Sequence, residues 1–369
     1  MWKKIAHLIE KEVDDIKYSF TRLSGISQSV EIKDYPGFAN HSKAFVRARV
    51  LKKKELPGST ATDSDWRNFI NTSRNWFTDE IPHAKVEVRV GDQVQLAEAD
   101  DEGYIMAELD HELNPPALSD AITAHLRLVE PATDQPVVCS SPLQMPGPGA
   151  EFGVISDIDD TVFYTGATQL MTMVKNTLLG NVHTRIVFEG VSAYYGALLR
   201  GQDGRGKNPF FYVTSSPWNL FDMITQIFEL RGIPHGSLFM KDWGVDEGKF
   251  LKSGHHTHKA SAIEKVLKAY PELSFVLLGD SGQEDPEIYT SVLDKYSDRI
   301  RAIYIRDVST NERDVRVIEL AAKASEKGVD LLLSDSSIEF AEHSAKLGLI
   351  SENELPAIKG QVKADRAAE

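Results

Sequence analysis

Cysteine is almost absent from this chain. Cys139 is the only one in 369 residues, so no disulfide can form within the chain and a reducing cytoplasmic location is expected. No apolar run approaches the roughly 20 residues that a membrane-spanning helix needs. Basic residues are in the minority, 41 Lys and Arg against 55 Asp and Glu, which gives a formal net charge of −14. These deficits disfavour a secreted scaffold, a transmembrane protein and a general nucleic-acid binder.

The length predicts two domains at about 150 residues each, preceded by a helical segment at 1–29. Apolar residues recur at intervals of three and four between Trp2 and Phe20, as they do along one face of a helix. In most proteins such a face packs against a neighbouring domain. Trp2, Lys3 and Lys4 also fit a helix that lies in a membrane interface, so both interpretations stay open.

Residues 30–141 have a hydrophobic period of two, which predicts a small β-sandwich domain. Gly103 permits the tight turn of one predicted hairpin. A Pro- and Gly-rich linker follows at 142–150 and marks a domain boundary. The expected strands are Ala44–Leu51, Ala84–Val90, Val94–Ala99, Tyr104–Leu109, Ile122–Val129 and Val137–Ser140.

Residues 151–350 alternate short apolar runs with segments of helical period, which predicts a mostly parallel, doubly wound α/β sheet. A polar C-terminal tail is expected at 351–369. In sheets of this kind, ligands bind beyond the carboxyl ends of the strands. The expected strands are Gly153–Ser156, Phe210–Val213, Leu238–Met240, Phe275–Leu278, Ala302–Ile305 and Leu331–Leu333.

Acidic residues follow two of these strands directly. The first strand runs into Asp157, Asp159 and Asp160, and the fourth runs into Asp280 and Asp285. A helix cap would explain one carboxylate, but three within four residues repel one another unless a cation or hydrogen-bond donors neutralise them. An oxygen-rich set with access to water suits Mg²⁺, so the sequence predicts a magnesium site at this edge of the sheet.

Hydroxyl groups and one lysine complete the predicted constellation. Thr214, Ser215 and Ser216 follow the second strand, where hydroxyls and free backbone N–H groups can cradle a phosphate. Lys259 opens a later helix. Each signal is weak alone, but together they supply an acid, a metal site, neutral donors and a cation for a phosphoryl group.

These motifs resemble the four ordered motifs of the haloacid dehalogenase (HAD) superfamily, and within it the actin-patch phosphatidate phosphatase family, which is related to the lipins. The resemblance covers about residues 30–350 and implies a HAD-like fold without a large cap. It is carried by DIDDT at 157–161, FYVTSSPWNL at 211–220, KDWG at 241–244, HK at 258–259, GDSG at 279–282, DPEIY at 285–289 and IYIRD at 303–307. The segments RNWFTDEIP at 74–82 and DEGY at 101–104 resemble the region before this domain in bacterial-type members.

The resemblance implies a role for each acidic residue. Asp157 would be the nucleophile that forms an aspartyl phosphate. Asp159 would protonate the leaving oxygen and then activate water, and an acid at this position favours ester hydrolysis. Asp157, Asp280, Asp285 and the backbone carbonyl of Asp159 would hold Mg²⁺.

The resemblance also implies phosphate-binding residues. Thr214 and Lys259 would hold phosphoryl oxygens in the transition state. Ser215 could replace Thr214, because the end of the strand is uncertain by one or two positions. Thr161, Ser215 and Ser216 are expected to contact the substrate.

The implied activity is a Mg²⁺-dependent phosphatase that hydrolyses a phosphate monoester, with phosphatidate converted to diacylglycerol. The intervals after the first and second motifs have no room for a bulky cap, so an open site with possible peripheral membrane contact is expected. Alternatives are a phosphatase for a phosphoprotein or a soluble ester, or a non-catalytic lipid-binding scaffold. An apolar rim could come from Met171, Met173, Leu178, Leu179 and Trp243, although such residues are more often core.

Overall fold

The computed structural model describes residues 30–52, 80–112, 121–147, 149–164, 187–241, 255–309 and 311–367. The predicted helix at 1–29 and the proposed rim residues therefore lie outside the described residues. The first seven strands are β1 Val30–Ala39, β2 Lys43–Lys52, β3 Lys85–Val90, β4 Gln93–Glu98, β5 Tyr104–Asp110, β6 Ala121–Glu130 and β7 Val138–Gln144. The next six are β8 Gly153–Ser156, β9 Phe210–Pro217, β10 Ser237–Lys241, β11 Phe275–Asp280, β12 Ile300–Arg306 and β13 Asp330–Ser334.

The described ranges also contain seven α-helices. Most of them fill the intervals between the later strands. Their bounds are α1 Val191–Arg200, α2 Phe221–Arg231, α3 His255–Ala269, α4 Asp285–Tyr296, α5 Asn311–Glu326, α6 Ser337–Lys346 and α7 Leu355–Ala367. None of these helices has the length and apolar character needed to cross a bilayer.

The first seven strands form one sheet in the order β4-β3-β6-β7-β1-β2-β5. Their period of two places Val, Ala, Leu and Ile side chains on one face, which is buried, and polar side chains on the other. The edge strands β4 and β5 contact each other, so the sheet curls until it is nearly closed like a barrel. We call this sheet the barrel-like sheet.

Strand β1 is the irregular member of the barrel-like sheet. It pairs antiparallel with β2 but parallel with β7, and a bulge at Pro36 and Gly37 shifts the register between Tyr35 and Phe38. A Cβ atom at Gly37 would lie 2.3 Å from the carbonyl oxygen of Phe45. The glycine therefore allows the two backbones to approach at the bulge.

The other six strands form a parallel sheet in the order β10-β9-β8-β11-β12-β13. Successive residues of each strand pack on opposite faces. Val154 and Tyr212 belong to one apolar cluster with α1, α2 and α6, whereas Ile155 and Phe211 belong to another with α3, α4 and α5. Helices therefore cover both faces, which explains why apolar residues occupy both faces of these strands.

The fold class expected from the sequence is wrong. A HAD-like doubly wound domain preceded by a small β-sandwich was expected, but the structure has a nearly closed, barrel-like sheet of seven strands beside a parallel sheet, a predominantly β architecture. A sandwich needs two separate sheets, and here a single hydrogen-bonded order runs from β4 to β5. The period of two shows which face of a strand is buried, but it does not show how the sheet closes.

The two sheets contact each other through β1. Tyr35 packs on Trp218 and Phe221, with ring centroids 4.7 Å apart in both pairs. The Ser237 hydroxyl donates a hydrogen bond to the carbonyl oxygen of Gly37 at 3.0 Å. The predicted domain boundaries stay predictions. Within the segment predicted as a polar tail, α7 forms and buries Ile358 and Val362.

Candidate active site

The site lies where two neighbouring strands of the parallel sheet end. Asp157 comes directly after β8, Asp280 is the last residue of β11, and Asp285 begins α4. Because β8 and β11 are adjacent and parallel, their carboxyl ends meet at one edge. One carboxylate oxygen from each of these three residues lies within 4.8 Å of the other two. The structure therefore brings together Asp157 and Asp285, which are 128 positions apart in the sequence.

Glycine makes this close approach possible at Gly279. A Cβ atom there would lie 2.5 Å from Asp285 Oδ2 and 2.8 Å from the ring of Tyr289. Any other residue at this position would push α4, and with it Asp285, away from the strand end. The backbone N–H of Asp280 then donates a hydrogen bond to Asp285 Oδ2 at 3.2 Å.

Lys259, near the start of α3, brings a buried cation to the three carboxylates. Its ammonium nitrogen lies 2.6 Å from Asp285 Oδ1 and 3.0 Å from Asp157 Oδ1. Lys259 is 3% exposed and Asp157 is 1% exposed, so solvent screens these ion pairs very little. One lysine nevertheless cannot neutralise three carboxylates.

The uncompensated charge appears in the pKa values. Burial raises the pKa of Asp157 well above its usual range; Lys259 opposes this, and the neighbouring carboxylates reinforce it. Burial, together with repulsion from Asp285, raises the pKa of Asp280 to about 8. Burial alone would lower the pKa of Lys259, but attraction to Asp157 and Asp285 outweighs it, so this pKa is raised. The site is short of positive charge.

Several buried oxygens in the cluster also lack hydrogen-bond donors. Neither carboxylate oxygen of Asp157 accepts a hydrogen bond from the described residues, and the same is true of Asp280 Oδ2. Buried polar atoms are normally satisfied, and unsatisfied ones point to a missing partner. Three converging carboxylates with free oxygens are the donor set that a hard divalent cation prefers. The residues therefore fit a divalent metal ion.

Asp159 is held separately from the cluster of Asp157, Asp280 and Asp285. Its Oδ2 accepts hydrogen bonds from the Thr214 hydroxyl at 2.6 Å and from the Ser216 hydroxyl at 2.8 Å. Its Oδ1 is buried without a hydrogen-bond partner among the described residues. The two carboxylate oxygens are therefore unequal, one fixed by two donors and one available.

The hydroxyl residues in the last part of β9, Thr214, Ser215 and Ser216, divide by strand alternation. Thr214 and Ser216 are buried on the face that meets Asp159, whereas Ser215 points to the opposite face and is half-buried. The Thr214 hydroxyl also accepts the backbone N–H of Ser216 at 2.9 Å. Thr161 is buried and its hydroxyl has no partner within the described part of the chain. The phosphate-binding roles expected for these residues stay predictions.

The loop that carries Asp157 and Asp159 turns back sharply. The carbonyl oxygen of Ile158 accepts the backbone N–H groups of Val162 at 2.9 Å and Phe163 at 3.1 Å. Asp160 has a φ of 56°, in the left-handed region that Asp tolerates better than most residues. This turn aims the side chains of Asp157 and Asp159 toward the same edge of the sheet.

Two supporting residues were missed by sequence reasoning. Tyr195 on α1 hydrogen-bonds the Ser156 hydroxyl at 2.8 Å, and Ser156 in turn donates to the carbonyl oxygen of Asp157 at 2.6 Å. Arg313 on α5 donates to the carbonyl oxygen of Ser281 at 2.8 Å and pairs with Glu287 at 2.6 Å, which pins the loop after Asp280. A tyrosine or arginine on an amphipathic helix carries no sequence signal that distinguishes it from core or surface residues.

Comparison with known proteins concerns the segment that contains this site. Residues 152–307 match the family model described as phosphatidate phosphatase APP1, catalytic domain. This segment is therefore similar to the catalytic domain of that family. We call residues 152–307 the APP1-type segment. It contains all the acids of the cluster, together with Lys259 and the hydroxyls at the end of β9.

Two curated relatives show how far the similarity extends. Phosphatidate phosphatase APP1 of Saccharomyces cerevisiae is 34% identical over 164 residues, which are 44% of this chain and 27% of the relative. An uncharacterized protein of Schizosaccharomyces pombe is 27% identical over 160 residues, 43% of this chain and 25% of that protein. The match therefore spans about a quarter of the length of either relative.

Solved structures offer only distant likenesses. The PilB minor pilin of Streptococcus sanguinis aligns over 99% of both chains at 11% identity, with a TM-score of 0.28. A β-glucuronidase of Ruminococcus gnavus covers 81% of this chain and 42% of its own at 11% identity, with a TM-score of 0.20. Scores this low support no shared fold.

Proposed function

We propose that this protein is a Mg²⁺-dependent phosphatase that hydrolyses phosphatidate to diacylglycerol through an aspartyl phosphate on Asp157. The observation that carries the proposal is the convergence of Asp157, Asp280, Asp285 and Lys259 in one buried cluster within the APP1-type segment. A carboxylate with one oxygen beside a fixed cation and the other without a hydrogen-bond partner, next to the proposed metal site, is what nucleophilic attack on a phosphoryl group requires.

The metal would be held by the carboxylates of Asp157, Asp280 and Asp285 and by the backbone carbonyl of Asp159. When bound, it would supply the positive charge that lets an anionic carboxylate approach an anionic phosphate. Magnesium is proposed because every side-chain donor of the cluster is an oxygen.

Asp157 carries the covalent step. An oxygen of its carboxylate attacks phosphorus, and the bond between phosphorus and the ester oxygen of the substrate breaks. Water then attacks the aspartyl phosphate, so that inorganic phosphate leaves and the carboxylate is restored. Asp157 Oδ1 is ion-paired with Lys259, whereas Oδ2 has no hydrogen-bond partner among the described residues, which leaves the lone pairs of Oδ2 available for this step.

Asp159 moves the protons. It would donate a proton to the departing alkoxide and later accept one from the attacking water. Thr214 and Ser216 both hold Oδ2, so the free Oδ1 is the atom that would carry the transferred proton. In this arrangement Thr214 acts by orienting Asp159.

Lys259 would stabilise the negative charge on the phosphoryl oxygens as the transition state forms. Thr161 is the hydroxyl proposed to contact the substrate, since it is not bound to Asp159 and has no hydrogen-bond partner among the described residues. Phosphatidate is proposed as the substrate because the relative from Saccharomyces cerevisiae is a phosphatidate phosphatase. The proposal includes a cytoplasmic location with peripheral membrane contact, where such a lipid is reached.

The decisive test is Asp157→Asn, with phosphatidate presented in mixed micelles and p-nitrophenyl phosphate and a phosphopeptide as competing substrates. We expect loss of more than about a thousandfold in kcat, because the amide is not a nucleophile. Wild-type turnover should be fastest on phosphatidate. A folded variant that keeps its turnover would contradict the assignment of Asp157, and a preference for a soluble substrate would contradict the lipid assignment alone.

A further inference from the structure

Arg306 is a buried cation that the proposed chemistry does not use. It ends β12 and is 3% exposed. Its nitrogens donate to the carbonyl oxygens of Thr161 at 3.2 Å and Asp335 at 3.0 Å, and to the Ser337 hydroxyl at 3.0 Å. It forms no ion pair with a carboxylate in the described part of the chain. Burying an unpaired charge is costly, so a specific role for this residue is expected.

Two aromatic rings fix the plane of the Arg306 guanidinium. It lies 4.4 Å from the ring centroid of Phe188 and 5.5 Å from that of Phe340. Cation–π contacts and three hydrogen bonds from one planar group define both its position and its orientation.

Arg306 contacts both of the loops that carry acids. Its backbone carbonyl oxygen accepts the N–H of Ser281, the residue after Asp280, at 2.9 Å. Its side chain holds the carbonyl oxygen of Thr161, two residues after Asp159. The register of β11 and β12 places Arg306 directly beside Asp280. One residue therefore connects the loop after β8 with the loop after β11.

We propose that Arg306 is a positioning residue that sets the separation of the two acidic loops and thereby the affinity of the site for its metal ion. This inference rests on the magnesium site of the proposed function. The loop after β8 turns back at Asp160, whose φ lies in the left-handed region. The Arg306 side chain holds this loop through its hydrogen bond to the carbonyl oxygen of Thr161. Residues that orient metal ligands without touching the metal typically affect affinity by about 10- to 100-fold.

Lysine cannot replace arginine in this role. The contacts to Thr161, Asp335 and Ser337 come from three different nitrogens of Arg306. A lysine ammonium is one nitrogen at the end of a flexible stem and cannot span all three acceptors. Arg306→Lys keeps the positive charge but loses the set of three hydrogen bonds, so it separates the effect of the charge from the effect of the hydrogen bonds.

The test measures Mg²⁺ binding by isothermal titration calorimetry on metal-stripped full-length protein, together with the Tm in EDTA. We expect Arg306→Lys to raise the Kd for Mg²⁺ by about tenfold or more. Ser337→Ala, which removes one acceptor and leaves every charge in place, should raise it less. Arg301→Lys is the matched control on the same strand, because Arg301 is exposed and its one hydrogen bond is a long 3.4 Å contact with Leu347.

The outcomes separate this inference from the proposed function. A residue that only stabilises the fold would lower the Tm and leave the Kd unchanged, so folded Arg306→Lys and Ser337→Ala variants with wild-type Kd values would overturn the inference. If Arg306→Lys fails to fold, Ser337→Ala decides. Failure of the wild-type protein to bind Mg²⁺ would overturn the metal site of the proposed function and this inference together.

Discussion

The two sheets bury different kinds of residue. The core of the barrel-like sheet consists of Ala, Val, Ile, Leu and one Met, with no aromatic ring among its buried members. The parallel sheet is packed with Tyr and Phe side chains, and several charged side chains are also buried at its edge. Its buried charged residues in the described ranges are Asp157, Asp159, Lys259, Asp280, Asp285 and Arg306.

This difference assigns apolar stabilisation to the barrel-like sheet and the buried charged groups to the parallel sheet. Apolar burial stabilises a fold by roughly 25 cal/mol per Å² of surface removed from water, whereas buried carboxylates oppose folding unless they are paired. The barrel-like sheet makes only the first kind of contribution. The parallel sheet contains buried carboxylates at one edge, and the proposed catalysis would need such charges because water does not screen them. Substitutions in the two regions should therefore have opposite signatures.

The largest effect should come from Lys259→Met. Removing the cation leaves the buried carboxylates of Asp157 and Asp285 without their ion pairs, and breaking a buried pair costs about 3–5 kcal/mol. The proposed phosphoryl contact is lost as well, so kcat should fall by about 100- to 1000-fold. Chemical denaturation in EDTA and steady-state kinetics measure the two losses. Lys268→Met on the same helix is the control, since its partner Glu264 is paired at the surface and neither value should change.

In the barrel-like sheet, Leu126→Ala should reduce stability and spare catalysis. Leu126 is 1% exposed on β6 and packs only in the apolar core of that sheet. Truncating a buried leucine typically costs about 2–5 kcal/mol through lost burial and the cavity that remains. Well below the Tm, kcat and KM should match the wild-type values. A drop in kcat in the folded variant would show that the two regions are not separable in this way.

A smaller effect is expected from Thr214→Ala. The variant removes one of the two donors that hold Asp159 Oδ2, so we expect kcat to fall by about tenfold with KM nearly unchanged. Thr214→Ser keeps the hydroxyl and should restore the rate. If Thr214 binds the phosphoryl group directly, KM would rise instead, and the orienting role assigned to it would be wrong.

The smallest effect concerns pH in the absence of metal. The folded-state pKa of Asp280 is raised from 3.8 to about 8, so between these values the native state holds a proton that the unfolded chain releases. Stability in EDTA should therefore fall as pH rises through that range, by about 2 °C or more in Tm. The proposed Mg²⁺ would bind the ionised carboxylates, so adding it should reverse the trend. Asp280→Asn should flatten the pH dependence, and an unchanged slope would contradict the assignment.

Most individual elements could be predicted from the sequence. The expected strand Gly153–Ser156 coincides with β8, and the expected strand Ala302–Ile305 lies within β12, Ile300–Arg306. Ser336 caps α6, because its hydroxyl accepts the N–H of Ile338. Strong periodicity and capping residues are local signals, so one chain segment is enough to reveal them.

What could not be predicted depends on contacts between distant segments. Strand β1 was missed because Pro36 and Gly37 interrupt its alternation, and the bulge there is explained only by its neighbours. The closure of the barrel-like sheet depends on β4 meeting β5, which no local pattern encodes. The acids of the site were found because they follow strands directly. The bond from Thr214 to Asp159 was not expected, since strand alternation alone does not show which hydroxyl faces which loop.

The stacking of Tyr35 on Trp218 and Phe221 has a practical consequence for truncation. A fragment that starts after residue 150 would keep the complete acidic edge but lose β1, and two large rings would then face water. Trp218 stands only two positions beyond Ser216, so the loss would reach the strand end whose hydroxyls hold Asp159. Exposed aromatic surface of this kind promotes aggregation. A soluble protein that contains the acidic edge should therefore be expressed with the preceding strands in the same polypeptide.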